Sequence, residues 1–502
     1  MIKKDFLWLF IGIIGIIELF FIGKAFYFHY LCMDHAEHLH ASWLVWQGKI
    51  PYRDFFEHHN PLLWYMLSPI VALFYNSALI LYVSRFISIL GYASLFFVLY
   101  KISNRFMKIS AKQFLLGILI YFSIPESYFL ITEMHPDIFM LLSYFIGLYY
   151  YYSYIESKKQ KELNISFFMF AISFLFLQKI LLMLFITSIS IFYLIWKKEI
   201  KIKPVLISAI FPSILIGLFI IWLYANNSLK IYYLLNYDLN LWVQKFMGAG
   251  KTSYDFRYAL YLPLLSILML RYFLKDKNKY RNIFIVVVIF DYITKPFIGA
   301  PYCQYYILNN ITASLVISYY IIDNINLYKS KILLIMMTFI GVIFLMKYPQ
   351  NKFYPLYYQV NKYIHSKLKK DDILISGTFF INIYGKDASY YWFGLGNIAP
   401  VAYYLYTYNE AFHLNNAINK YKPRFIFYEP YENRILIDST KNGNKNFINN
   451  LSKLWHILPV KRENERGFVN RWSNRYFYNY DNNLILNNYR HTPYYPLIER
   501  IY

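Results

Sequence analysis

Eleven apolar runs, most of them about as long as a crossing of roughly 30 Å of hydrocarbon requires, constrain this chain more than any other feature of its sequence. They lie near residues 6–28, 79–100, 113–124, 137–155, 164–177, 180–196, 204–225, 256–270, 282–298, 306–322 and 332–347, with those at 113–124 and 164–177 short. Inside lipid the backbone has no water to bond, so such runs fold as helices. The chain is 58% hydrophobic and 16% charged, against roughly 45–50% and 25% in an ordinary soluble protein, an excess that a core alone does not absorb. The expected fold class is an α-helical multi-spanning membrane protein with about 11 transmembrane helices. The first run follows Lys3 and Lys4 with no small-residue cleavage site behind it, which reads as a retained helix rather than a signal peptide.

A formal net charge of +23 would suit a nucleic-acid binder, but its placement points elsewhere. With successive runs alternating sides, one side collects twenty cations: Lys3-Lys4, Lys101/Arg105/Lys108/Lys112, Lys158/Lys159/Lys161, Lys197/Lys198/Lys201/Lys203, Arg271/Lys275/Lys277/Lys279/Arg281 and Lys329/Lys331. The other side holds seven over longer loops, namely Lys49, Arg53, Lys179, Lys230, Lys245, Lys251 and Arg257. The positive-inside rule then puts the N-terminus in the cytoplasm and the C-terminal region outside. No nucleic-acid partner is expected. The two cysteines, Cys32 and Cys303, give no disulfide framework and read as free thiols.

The chain changes character at "KYPQNKFYP". Within residues 348–502, "YIHSKLKKDDILISGTFF" reads as a helix followed by a strand, and "AFHLNNAINKYKPRFIFYEP" repeats that order. A third helix and strand are expected in "NKNFINNLSKLWHILPVKRENERGFVNRW". The expected organisation is a transmembrane domain over 1–347, with a first outer loop at 29–61, and an extracytoplasmic α/β domain over 348–502. From Asn351 onward the net charge is +9, suited to an anionic membrane surface or an anionic acceptor.

The outer loop at 29–61 is where ionisable chemistry gathers. "DHAEHLHASWLVWQGK" can form a helix on the membrane, with Leu39, Trp43 and Trp46 facing lipid. Asp34, Glu37 and His38, spaced i, i+3, i+4, then share another face. Acids at the lip of a membrane need water or a partner, which makes them functional candidates. His35, His38, His40, His58 and His59, with Asp54 and Glu57, could ligate a divalent ion, yet no pair has a zinc-site spacing. Hydrogen bonding in a wet vestibule is the preferred reading, and neither a metal nor another cofactor is assigned.

Here the sequence resembles a known family. Asp34, then Gly48, Pro51, Tyr52, Arg53, Asp54, Phe55 and Phe56, then Asn60 to Tyr65, look like the first outer loop of bacterial GT-C membrane glycosyltransferases, relatives of protein O-mannosyltransferases and lipid A aminoarabinose transferases. "HPD" at His135 to Asp137 resembles the family's short motif, more often Arg-Pro-Asp. Gln178-Lys179 resembles its break between two short helices, and "PYCQYY", with Gln304 and Tyr305, its Tyr-rich entry to a later helix. The family's usual Asp-Glu pair is Asp34-His35 here, with Glu37 two residues on.

The resemblance implies a bacterial inner-membrane enzyme that moves a sugar from a polyprenyl-phosphate donor to a lipid, glycan or protein acceptor. Such chemistry needs one carboxylate to take the acceptor's proton and cations for the leaving phosphate. Asp34 is the expected base, and Glu37 an alternative base, a metal ligand or an acceptor contact. Arg53, Lys179, Lys245, Arg257 and Lys295 are the candidates for the phosphate, although Lys295 has Asp291 four residues before it as an alternative partner. Asp54, Glu57, His135, Asp137, Gln304 and Tyr305 complete the candidate site, with His135 and Asp137 also suited to bracing the outer loop. Arg85, inside the second apolar run, reads as a buried polar contact. A polysaccharide polymerase or ligase shares the donor class. A lipid-linked sugar flippase would instead place charges near the midplane and show paired repeats, and neither is apparent here. A noncatalytic assembly or adhesion protein would tolerate loss of Asp34.

Overall fold

The computed structural model describes residues 2–28, 33–241, 261–275, 277–298, 303–323, 353–369, 371–376, 382–387, 390, 414–427, 489–491 and 497–501. They are mostly helical. Among them, six helical stretches are long and apolar enough to cross a membrane: Ile11–Phe28, Ile80–Arg105, Pro136–Ser157, Gln178–Trp196, Ile202–Ala225 and Gln304–Asp323. Leu62–Leu73 and Ala111–Phe122 are apolar but shorter. The runs expected near 164–177 and 282–298 are the helices Gln160–Phe176 and Lys279–Ile298. The run at 332–347 lies outside the described residues.

The chain divides into two compact units. The first takes the described parts of 1–29, 82–222 and 249–351, and the second those of 30–81, 223–248 and 352–502.

In the first unit, Pro136–Ser157 and Gln160–Phe176 form a tightly packed helical hairpin. Lys158 makes the turn in the left-handed region at φ 58°, where the first helix ends. Gly147 sets the closeness of the pair, because an added Cβ there would stand 2.6 Å from the Phe170 ring and 3.1 Å from the Ser166 carbonyl oxygen. Small residues at such crossings let backbones approach. Ile307–Asp323 packs on Ala111–Phe122, where Gly117 accommodates Leu315 in the same way. Ser110 opens Ala111–Phe122 with a capping box, its hydroxyl accepting from Gln113 N while Gln113 Oε1 accepts from Ser110 N at 2.8 Å.

Two buried arginines in this unit are met by carbonyls at helix ends. Arg85 donates to Ala25 O and Phe26 O at 2.9 and 2.7 Å, at the C-terminal end of Ile2–Phe28. Arg281 donates to Met107 O and Phe273 O at 2.7 and 2.8 Å and lies over the Phe273 and Tyr319 rings. Helix C-termini carry partial negative charge and unsatisfied carbonyls, so each guanidinium finds both charge and hydrogen-bond acceptors. Arg85 is the buried polar contact that its position suggests.

In the second unit, helix Met33–Trp46 packs on Leu62–Leu73. The helix is where the sequence puts it, but Leu39 and Trp43 do not face outward. Leu39 is buried completely, and Trp43 stacks on His40 and meets Tyr384 edge-on, leaving only Trp46 exposed. An amphipathic pattern identifies an apolar face without saying what covers it, and here protein does.

Residues from the C-terminal part join this unit. Helix Phe353–Lys367 leads to strand β1 at Leu374–Ser376, and helix Leu414–Tyr421 to β2 at Phe425–Phe427, the two helix-then-strand orders read from the sequence. Strands β3 at Tyr489–His491 and β4 at Leu497–Arg500 complete a sheet of order β1-β2-β4-β3, in which β1 and β2 are parallel and the other pairings antiparallel. The expected third helix and strand lie outside the described residues.

Gly147→Val should lower stability by about 1–3 kcal/mol through overpacking. Gly217→Ala, where no neighbouring atom stands within 4 Å of the added Cβ, should leave it unchanged or higher. Thermal unfolding of the two variants in detergent measures both, and equal midpoints would remove the close-packing account of Gly147.

Candidate functional site

The site in the second unit starts from the turn "PYRDFF". Asp54 organises it: its amide donates to Ile50 O at 2.9 Å, and its Oδ2 accepts from Ile50 N at 2.8 Å. Arg53 donates twice to the same carboxylate, which keeps the Asp54 carboxyl below its ordinary range. Tyr52 occupies the left-handed region at φ 69°, a conformation costly for a bulky residue. Its surroundings hold it there. Its hydroxyl donates to His59 O at 2.6 Å, its carbonyl accepts from Tyr390 OH at 2.6 Å, and its ring packs against Trp64 and Tyr232.

This turn delivers Glu57, His58 and His59 against the face of helix Met33–Trp46 that carries Glu37. Consecutive residues of a strand point to opposite faces, so the three converge only because the segment is irregular. One ligand atom from each of Glu37, Glu57, His58 and His59 lies within 4.8 Å of all the others. Both glutamates are buried. Glu57 Oε2 accepts from His58 N at 3.0 Å and stands 3.3 Å from His59 Nδ1, whereas Glu57 Oε1 is buried without a hydrogen-bond partner.

The electrostatics follow from that crowding. Burial first, then the charges of Glu57 and Asp34, push the Glu37 carboxyl well above its ordinary range. Burial also raises Glu57, against the opposing hydrogen bond and charge of His59. Burial and the neighbouring His59 hold the His58 imidazole low, hence neutral at neutral pH. Asp34 sits half-buried in the first turn of the helix.

Other side chains fix the cluster from behind. Trp64 Nε1 donates to His38 Nδ1 at 3.2 Å, and the His38 ring stands edge-on to His59. Asn60 Oδ1 accepts from Tyr232 OH at 2.9 Å. His40 faces acceptors with both ring nitrogens, Ile383 O at 3.1 Å and Asp387 Oδ2 at 2.7 Å. Two acceptors require a proton on each nitrogen or a protonated Asp387, so the contact is an ion pair or its neutral equivalent. Tyr384 OH donates to Phe74 O at 2.8 Å. The outer loop is thus bound to the C-terminal part by side chains that no motif marks.

A second group forms within the first unit. Lys179 makes an ion pair with Asp137, and its ammonium lies 4.0 Å from the centre of the Tyr305 ring. "HPD", Gln178-Lys179 and "PYCQYY" are far apart in sequence, and each contributes a residue to this one place. His135 Nε2 meets Glu133 Oε2 at 3.0 Å, both buried. Gln304 lies in the short turn Cys303–Tyr306 beside Tyr305. Glu133 was not singled out in the sequence; its spacing of two from His135 is the available signal.

Of the other candidates, Arg53 is half-exposed and engaged with Asp54. Lys295 belongs to helix Lys279–Ile298, but its side chain, like Lys245 and Arg257, lies outside the described residues.

Residues 58–225 match the sequence model of the dolichyl-phosphate-mannose-protein mannosyltransferase family. The match bears out the resemblance to GT-C membrane glycosyltransferases. It takes in Asp137 and Lys179 and begins one residue after Glu57. No curated protein matches the chain.

Because Lys179 and Asp137 are both largely buried, removing Lys179 takes from Asp137 the cation it faces. A double-mutant cycle with Lys179→Met and Asp137→Asn, followed by unfolding in detergent, should give a coupling of about 1–3 kcal/mol. Additive effects would mean that the pair does not act as one element.

Proposed function

We propose that this chain, a membrane glycosyltransferase of the GT-C type by its match over residues 58–225, moves a sugar from a polyprenyl-phosphate carrier to a lipid, glycan or protein acceptor at the outer face of the membrane. That match is the observation that carries the reading. The matched family is named for a lipid-phosphate-linked mannose and a protein acceptor, so mannose is the first sugar to try. The reading includes eleven crossings, an N-terminus inside and an α/β domain of residues 348–502 outside.

The chemistry assigns the roles. A phosphate ester leaves as a stable anion and needs compensation of its charge rather than a strong acid. The acceptor hydroxyl needs a carboxylate within reach to take its proton as it attacks. Asp34 is that carboxylate. The acceptor oxygen forms a bond to the anomeric carbon, the bond from that carbon to the phosphate oxygen breaks with its electron pair on the phosphate, and the proton passes to Asp34. Attack opposite the leaving group inverts the anomeric carbon. Glu37 lies one turn along the same helix, its carboxyl pushed toward the protonated form by burial.

Arg53, Lys179, Lys245, Arg257 and Lys295 are the cations proposed for the carrier phosphate. Arg53 and Lys179 hold carboxylates, so a phosphate would replace or share Asp54 and Asp137 as partner. The exchange of one anion for another avoids leaving a cation bare when the donor departs.

Asp34→Asn should lower transfer from a polyprenyl-phosphate sugar by about 10²–10⁴-fold while donor binding persists. Turnover at the unmutated rate in a membrane-based transfer assay refutes the base assignment. Topology has its own measurement: in a Cys32→Ser, Cys303→Ser background, Asn444→Cys should react with a membrane-impermeant maleimide on intact cells. Labelling only after lysis reverses the proposed orientation.

A further inference from the structure

We propose that Glu37, Glu57, His58 and His59 bind one divalent transition-metal ion. The site does not rest on the transferase reading, and no spacing in the sequence announces it.

Geometry comes first. The four ligand atoms span no more than 4.8 Å, and two ligands on opposite sides of an ion with bonds of about 2.1 Å stand roughly 4.2 Å apart. The cluster therefore needs only a small contraction to close on an ion. Among the described residues it is the one group of this kind.

The donor set selects the class of ion. Two imidazoles with two carboxylates suit the borderline ions of the Mn²⁺ to Zn²⁺ series. Mg²⁺ and Ca²⁺ prefer oxygen alone. An imidazole binds such an ion through a neutral ring nitrogen.

An independent observation asks for a cation at this point. Glu57 is fully buried, and its Oε1 has no hydrogen-bond partner. A carboxylate oxygen removed from water and left bare is costly. Glu37 worsens the problem by bringing a second buried carboxylate, and Asp34 adds charge to both. One shared proton would relieve part of this; a dication relieves more and also engages the two histidines. The supporting shell is in place, since His58 N fixes the orientation of Glu57 and Trp64 holds His38 against His59. Metal ligands commonly depend on such outer contacts for their orientation.

The test uses the full chain in detergent, purified on a tag without histidines. Metal analysis of the protein as isolated should find one transition-metal ion per chain. After chelator treatment, titration with Zn²⁺, Mn²⁺ and Co²⁺ should restore one equivalent, with Co²⁺ giving the visible absorption of a nitrogen and oxygen site. Strong preference for Zn²⁺ would identify a four-coordinate site and preference for Mn²⁺ a more open one, and both support the proposal. Glu57→Gln and His59→Asn should each weaken binding at least about tenfold. Because a buried substitution can disturb folding, His58→Asn, at a partly exposed position, serves as the second probe beside the unmutated chain's Co²⁺ spectrum. Absence of metal as isolated together with failure to bind all three ions at micromolar concentrations overturns the proposal and leaves the glutamates sharing a proton. Unmutated affinity in properly folded Glu57→Gln and His58→Asn overturns it as well.

Discussion

A charge withdrawn from water must be answered by another charge, a helix end or a proton, and the described parts of this chain are arranged around that requirement. Arg85 and Arg281 are answered by carbonyls where helices finish, and Lys179 by Asp137. His40 is answered by Asp387 across more than three hundred residues of sequence. Glu37 and Glu57 are answered less fully. They confront each other with Asp34 adding to the same sign, and histidines provide incomplete relief. Several perturbed carboxylates gathered at one place mark a candidate functional site.

The two kinds of answer differ in what they permit. Arginine against helix-end carbonyls is a fixed arrangement, because guanidinium does not lose its proton and the carbonyls belong to the backbone. Carboxylates packed together respond instead to whatever cation or proton is supplied. The surrounding turn is correspondingly stiff: Tyr52 remains in a costly backbone conformation only because Tyr390, Trp64 and Tyr232 surround it. Rigidity around a responsive cluster keeps its ligand atoms together while its charge changes.

This contrast also decides what was legible in the sequence. Helices such as Ile80–Arg105 and Ile202–Ala225 could be read directly, because lipid leaves a long apolar run few other conformations. The helix at Met33–Trp46 was legible too, and its covering was not. Trp43 and Leu39 look like lipid anchors until His40, Tyr384 and the neighbouring helix are packed on them. The acids of the outer loop stood out as candidates, but the meeting of Glu37 with three consecutive residues twenty positions later depends on an irregular turn that no periodicity encodes. The approach of Asp137, Lys179 and Tyr305 likewise joins three segments whose motifs carry no distance information.

The difference between Asp34 and Glu37 follows from the same electrostatics. They lie on one helix a single turn apart, so sequence spacing alone makes them equivalent. Glu37 is enclosed, and its neighbours favour the protonated carboxyl or a bound cation, neither of which accepts a proton from a substrate. Asp34 is half-open to its surroundings and occupies the first turn of the helix. Two carboxylates separated by environment rather than by kind can divide the work, one holding charge in place and the other exchanging a proton.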